Sequence, residues 1–265
     1  MRIPFTKMEG CGNDYVFVDA IRTAVPLERA PEFARRWSDR HFGIGSDGLI
    51  ALVRGDDAPV RMLMWNADGS RAEMCGNGLR CLARLAHQHG HVQRRAFPIE
   101  TDAGPRPVEL LAGSDVRTAM GRVTVGTARR LQVLGTEVEL VPGDAGNPHA
   151  VLFVDDIEVA EVERLGRALQ GHADFPAGVN VAFVQVVGED RILQRTFERG
   201  SGETLACGTG AAVAAVAARA VANIDPARTQ VQLRGGTLIV VGAGAALAIE
   251  GPTRTVFTGE VELPP

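Results

Sequence analysis

The chain has 265 residues, 28 basic and 32 acidic side chains, a formal net charge of -4, and 45% apolar residues. That length and apolar content support one large or two modest cored domains, and so mild a charge gives neither a basic face for nucleic acid nor an acidic tail. Lys7 is the only lysine and lies in a predicted first strand with no phosphate-binding loop beside it; a pyridoxal-phosphate enzyme, which needs a lysine for its Schiff base, is discounted.

The segment from Met1 to Lys7 has no apolar signal core. The most membrane-like stretch, residues 206–224, is alanine and glycine with Arg219 inside it, so a buried helix is expected there. A cytoplasmic protein follows, with its four cysteines as free thiols.

In chain order, residues 3–8 and 15–19 are predicted strands joined by a loop carrying Asn13. Residues 27–38 are a predicted helix behind Pro26. A glycine-rich loop at 42–48 precedes strands at 49–53 and 60–65. The turn Asn66-Ala67-Asp68-Gly69-Ser70 leads to Cys75 and a helix over 79–86 that ends near Gly90. Short strands are expected at 97–101, 106–111, 122–125 and 131–140. The order then repeats: a strand at 151–154, a helix at 159–170, strands at 179–187 and 192–197, then Cys207 and a helix over 211–222. From 231 to 261 strands alternate with turns, and Gly242-Ala243-Gly244 is a hairpin turn rather than a dinucleotide loop, since no helix of useful length follows. Each half is read as an antiparallel-rich sheet curled around one apolar helix.

The repeat is explicit in three landmarks. Cys75-Gly76-Asn77-Gly78 and Cys207-Gly208-Thr209-Gly210 lie 132 residues apart, half the chain. Trp65 and Phe197 stand ten residues before the two cysteines. Gly12-Asn13 and Gly146-Asn147 each lead into a strand, 62 and 60 residues upstream of their cysteines. Matching offsets argue for two related halves.

A cysteine opening a helix sits at the positive end of the helix dipole beside free N–H groups, which lowers its pKa and favours a bound carboxylate. Glycines around the next residue let a ligand approach the backbone. Two such thiols, one per half, suit inversion at a carbon with one acidic hydrogen: a thiolate takes the proton from one face and a thiol delivers one to the other. Cys81 is expected to be a core thiol and Cys11 a bystander. His87-Gln88-His89-Gly90-His91 is expected to be a solvated helix end and no metal site, because no acidic ligand accompanies it in the sequence. Rival readings are a thiol–disulfide redox protein and a non-catalytic amino-acid binding protein.

At Gly12-Asn13-Asp14-Tyr15, Asn66 to Gly78, Gly146 to His149, Gly178-Val179-Asn180 and Glu198 to Gly210 the sequence resembles the diaminopimelate epimerases, in the family's order and across nearly the whole chain. The resemblance implies an α+β fold of two pseudo-symmetric domains, each a barrel-like mixed sheet around a central helix, with the active site in the interdomain cleft. The expected boundaries are residues 1–116 plus 254–265 and residues 117–253. It implies an isomerase that interconverts LL- and meso-diaminopimelate without cofactor or metal, in lysine and cell-wall precursor synthesis, with Cys75 and Cys207 as the acid/base pair and a homodimer as a possible assembly. Gly76-Asn77 and Gly208-Thr209 would hold the reacting α-carboxylate. Asn13, Asn66, Asn147, Asn180, Glu198 and Arg199 would bind the rest of the amino-acid substrate, with His149 lining the site. Gly48 departs from a frequent glutamine, and Glu9 and Cys11 from a more usual histidine and aliphatic residue. The alternative within this resemblance is a related racemase acting on histidine or a proline-type substrate.

Overall fold

Strand residues alternate sides, so a strand covered on both faces reads as a continuous apolar run. β2 (Asn13–Asp19) does so over residues 15–18, while β1 (Arg2–Gly10) is buried over residues 5–8 although Thr6 and Lys7 interrupt its apolar side chains. Tyr15 and Phe17 of β2 belong to one core cluster, whereas Val16 and Val18 belong to another. The computed structural model describes residues 2–222, 224 and 227–263. It divides into two units, Met1–Thr118 with Gly251–Pro265, and Ala119–Glu250. Met1, Pro264 and Pro265, at the ends of the first expected half, lie outside the described residues.

In the first unit, α1 (Ala30–Ser38) packs Phe33 and Trp37 on the Val16–Val18 side. The expected helix at 27–38 is divided: residues Leu27–Arg29 form a 3-10 turn, and α1 begins at Ala30 with Pro31 in its first turn, where a missing N–H costs nothing. β3 (Gly48–Arg54) is parallel to β2, and β4 (Val60–Asn66) is antiparallel to β3. β5 (Arg71–Ala72) folds back on β4. Then α2 (Gly76–Gln88) packs Leu79, Leu82 and Leu85 against Tyr15, Phe17, Ile50 and Met62. Burying each such side chain is worth roughly 1.5–3 kcal/mol. β6 (Ala96–Glu100), parallel to β4, is followed by the antiparallel strands β7 (Arg106–Leu110) and β8 (Asp115–Ala119). The C-terminal strand, Arg254–Glu262, pairs antiparallel with β1.

The second unit repeats this topology. After β9 (Thr124–Val125), β10 (Arg129–Val133) and β11 (Thr136–Asp144) form a hairpin where one strand was expected over 131–140. Leu134 and Gly135 have φ of 52° and 80°, the consecutive positive values of a two-residue hairpin turn, and the leucine hid it. β12 (Pro148–Phe153) is antiparallel to β11, and β13 (Asn180–Val186) is parallel to β12. Between them runs α3 (Val162–Gln170). β14 (Arg191–Glu198) is antiparallel to β13, carries the short β15 (Gly202–Thr204), and lies parallel to β16 (Arg228–Leu233). α4 (Gly208–Val221) precedes β16, and β17 (Gly236–Val241) and β18 (Ala248–Pro252) close the run antiparallel. Antiparallel, parallel, antiparallel, hairpin, helix, parallel: β1 to β8 and β11 to β18 share one succession, with α1 matching α3 and α2 matching α4. Alanine makes α4 narrow enough for a strand to touch it. A Cβ on Gly143 of β11 would stand 2.3 Å from Val213 Cγ1.

Candidate functional site

In both units the chemistry-bearing residues fall at one end of the sheet. Asn13 starts β2, Gly48 starts β3, and Asn66 ends β4. In the second unit Asn147 precedes β12, Asn180 starts β13, and Glu198 ends β14. Each cysteine then opens a helix. Cys75 and Cys207 have extended backbones (φ -129° and -121°), and α2 and α4 begin at the next glycine, three residues earlier than the sequence reading placed them. The extended cysteine directs the first helical N–H groups outward beside its own sulfur.

Around Cys75 the polar groups form one chain of contacts. Cys75 Sγ donates to Asn13 Oδ1 at 3.2 Å, and Asn77 Nδ2 donates to the same oxygen at 3.3 Å. Arg80 is buried and donates from Nη2 to Asn77 Oδ1 at 2.7 Å. Asn13 Nδ2 donates to Asp47 Oδ2 at 2.5 Å, and Asp47 is joined with Asp14 by Arg40. Burial pushes the Asp14 carboxyl up, but hydrogen bonds from Arg40 and Lys7 outweigh it and leave Asp14 below its usual range. The buried Tyr15 hydroxyl meets both the Cys75 sulfur and the Asn13 carboxamide. Sequence reasoning missed Tyr15, Asp47 and Arg80. The signal for two of them was spacing: Tyr15 shares a strand face with Asn13, and Arg80 lies one helical turn beyond Asn77.

A Cβ on Gly76 would meet nothing within 4 Å, which leaves room for a ligand group above the helix terminus. At Gly48 the reverse holds. A Cβ there would stand 2.2 Å from the Trp65 carbonyl oxygen, so the β3–β4 backbones meet too closely for a side chain. Asn66 turns onto its own loop and donates to Ser70 Oγ at 2.9 Å; among the described residues no side-chain hydrogen bond joins it to the Cys75 group.

Cys207 is enclosed. Its sulfur accepts from the Gly210 N–H at 3.4 Å and lies 3.5 Å from Thr209 Oγ1. Burial, and then the neighbouring Glu198 carboxylate, push this thiol well above its usual pKa, outweighing Thr209 and Gly210. The expected lowering by the helix terminus is therefore overturned at Cys207, because removal from water costs a thiolate more than two donors return. Glu198 Oε1 accepts from Thr204 Oγ1 at 2.5 Å. Asn180 accepts the Arg199 N–H at 2.9 Å and donates to the Pro148 carbonyl at 3.3 Å. The Arg199 guanidinium is exposed and donates to the Ala177 carbonyl at 3.0 Å. His149 is buried, its Nε2 lies 3.0 Å from Asn147 Oδ1, and burial lowers its pKa to about 4. It is neutral at pH 7 and donates from Nε2 to that amide oxygen.

Cys11 and Cys81 are buried, and burial pushes Cys81 up to about 12. Both are inert thiols. The histidine run differs from its expected solvated state. His87 Nδ1 lies 2.9 Å from the Val92 carbonyl, but His89 Nδ1 and His91 Nε2 each lie 2.7 Å from Asp19 Oδ2. The carboxylate absent from the local sequence arrives from β2.

Comparison with known proteins places these features in a lineage. Residues 5–126 and 143–262 match the diaminopimelate epimerase family. The chain is 39% identical to the diaminopimelate epimerase of Leptospira biflexa over 99% of its own length and 100% of that protein's. It is 42% identical to that of Alkalilimnicola ehrlichii, over 99% and 100%. The fold resembles a Bacillus anthracis phenazine biosynthesis protein of the PhzF family at TM-score 0.76 and 17% identity, over 99% of this chain and 100% of that one. A hydroxyproline epimerase from Agrobacterium vitis aligns at TM-score 0.71 and 16% identity, over 98% and 92%. With this identity sustained along both chains, and both cysteine-capped helices inside the matched residues, the chain belongs to the diaminopimelate epimerase family.

Proposed function

We propose that this protein is a cofactor-independent epimerase that interconverts LL- and meso-diaminopimelate, with Cys75 and Cys207 as its acid/base pair. The observation that carries the reading is the pair of cysteine-capped helices at matching places in two units of one topology. One sulfur, as thiolate, takes the α-proton. The other, as thiol, gives its proton to the opposite face, so no net proton is consumed. The reverse reaction exchanges the two roles.

The charge that develops on the substrate in this reaction lies on the α-carboxylate. Free N–H groups at Gly76-Asn77 and Gly208-Thr209 are suited to hold it. A helix terminus alone contributes about 0.3–1 kcal/mol, small against the roughly 8–23 kcal/mol by which enzymes lower barriers, so the donors must act where water is excluded. Asn13, Asn66, Asn147, Asn180, Glu198 and Arg199 bind the remainder, with Arg199 suited to the distal carboxylate. Cys207, buried and raised, is the thiol of the resting pair. A role in lysine and cell-wall precursor synthesis, a cytoplasmic setting and a homodimer belong to the same reading.

The test is α-hydrogen exchange in deuterated water. Reduced protein with diaminopimelate and no added cofactor is expected to take up deuterium at the α-carbon and to produce both stereoisomers. Cys75→Ala and Cys207→Ala are each expected to abolish epimerisation. Exchange confined to proline, hydroxyproline or histidine in the same panel would overturn the substrate. Normal turnover by either cysteine variant would overturn the pair.

A further inference from the structure

The second chemical cluster lies in the first unit, at the far ends of the elements that carry Asn13 and Cys75. β2 runs from Asn13 to Asp19, and α2 runs from Gly76 to Gln88, with His89 and His91 just beyond. At about 3.3 Å per strand residue and 1.5 Å per helical residue, both span roughly 20 Å. Asp19 shares its strand face with Asn13, Tyr15 and Phe17, the side that α2 covers, and so meets the helix's C-terminal end. There Asp19, His89 and His91 present one donor atom each, all within 4.8 Å of one another.

We propose that Asp19, His89 and His91 form a binding site for a divalent transition metal of the zinc class. Two imidazoles and a carboxylate are the ligand types such ions take. His89 Nδ1 and His91 Nε2 are each 2.7 Å from Asp19 Oδ2. Adjacent ligands of a tetrahedral ion 2.0–2.1 Å from each stand roughly 3.3–3.4 Å apart, so each imidazole needs to draw back from the carboxylate by about 0.6–0.7 Å. Each imidazole would bind the ion through the nitrogen that now faces the carboxylate, as a neutral ring with its proton on the other nitrogen. Asp19 Oδ1 accepts the Ile21 and Arg22 N–H groups at 3.1 Å, which fixes the carboxylate's orientation.

Two further features favour an ion here. Asp19 and His89 line a cavity of about 430 Å³ that also includes Glu260, so coordination positions remain for water or a small anion. Arg22 places an opposing charge beside the cluster, its Nε 3.7 Å from Asp19 Oδ2. Its side chain is 55% exposed, and it swings into solvent on giving up the bond from its Nη2 to the His89 carbonyl. A bound ion would pin the end of β2 to the end of α2, some 20 Å from Cys75, and would take no part in proton transfer.

Cobalt(II) titration of the reduced full-length chain tests the site, because cobalt reports its ligands in the visible spectrum. One equivalent is expected to bind with the bands of nitrogen and oxygen ligands and without sulfur charge-transfer bands. His89→Gln, His91→Gln and Asp19→Asn are each expected to weaken binding at least tenfold, while circular dichroism and epimerase activity without metal stay unchanged in His91→Gln. Zinc should raise the melting temperature of the wild type and leave that of His91→Gln where it was. Sulfur charge transfer alone, affinity unchanged in His89→Gln and His91→Gln, or no binding at all would each overturn the proposal.

Discussion

Asn13 and Cys75 are 62 residues apart in the chain, yet Asn13 Oδ1 lies 3.2 Å from the Cys75 sulfur and holds the Asn77 amide as well. One neutral acceptor thus sets the position of the thiol and of a helix-terminus side chain together. Asn13→Ala is expected to lower kcat about 10- to 100-fold, the range implied by loss of two hydrogen bonds worth roughly 0.5–1.5 kcal/mol each. Asn13→Asp keeps the shape but adds a negative charge beside the sulfur, which disfavours the thiolate. The acidic limb of its pH–rate profile should move to higher pH by on the order of one unit. A profile superimposable on the wild type would remove Asn13 from the acid/base machinery.

Gly76→Ala separates binding from folding. The added methyl enters open space, so stability should change by no more than about 0.5 kcal/mol in urea unfolding. It also occupies the space over the helix terminus where a carboxylate would lie, so kcat/KM should fall by at least tenfold. Full activity in this variant would place the substrate elsewhere.

The buried His149 makes the fold sensitive to acid. Its pKa falls from 6.5 to about 4 on folding, so the unfolded chain binds a proton first. Its contribution is present above pH 6.5 and is lost as the pH falls toward 4, amounting to roughly 3 kcal/mol at the limit. His149→Gln should therefore show a flatter fall in stability between pH 6.5 and 4, measured by urea unfolding at several pH values. An unchanged slope would mean that His149 titrates normally.

Alkali acts through the buried thiols. Cys81 rises from 9.0 to about 12, so its contribution to stability is full below pH 9 and is lost as the pH climbs toward 12, where the unfolded chain gives up a thiol proton that the folded core still holds. The loss is about 1.4 kcal/mol per pH unit in that window. Cys81→Ala leaves a small cavity and is weaker at every pH, but its stability should fall less steeply above pH 9. Parallel slopes for wild type and variant would show that Cys81 ionises outside the core.

Much of the site was legible because it is written twice. Cys75 and Cys207, their glycines, and Asn13 with Asn147 recur at matching offsets, and a repeat needs no tertiary knowledge to be seen. The strand and helix order followed from periodicity, since a face must be apolar where it is covered. The hairpin at Leu134-Gly135 did not, because its left-handed turn holds a leucine.

What only the folded chain decided are the meetings of distant groups and the balance of opposing effects on charge. A sequence shows that Cys207 opens a helix, which favours its thiolate; only burial beside Glu198 reverses the sign. It shows three histidines without a carboxylate, and the packing of β2 against α2 brings Asp19 to them from 70 positions away. Propensity and pattern act over a few neighbours along the chain, whereas desolvation and coordination depend on everything within a few ångströms in space.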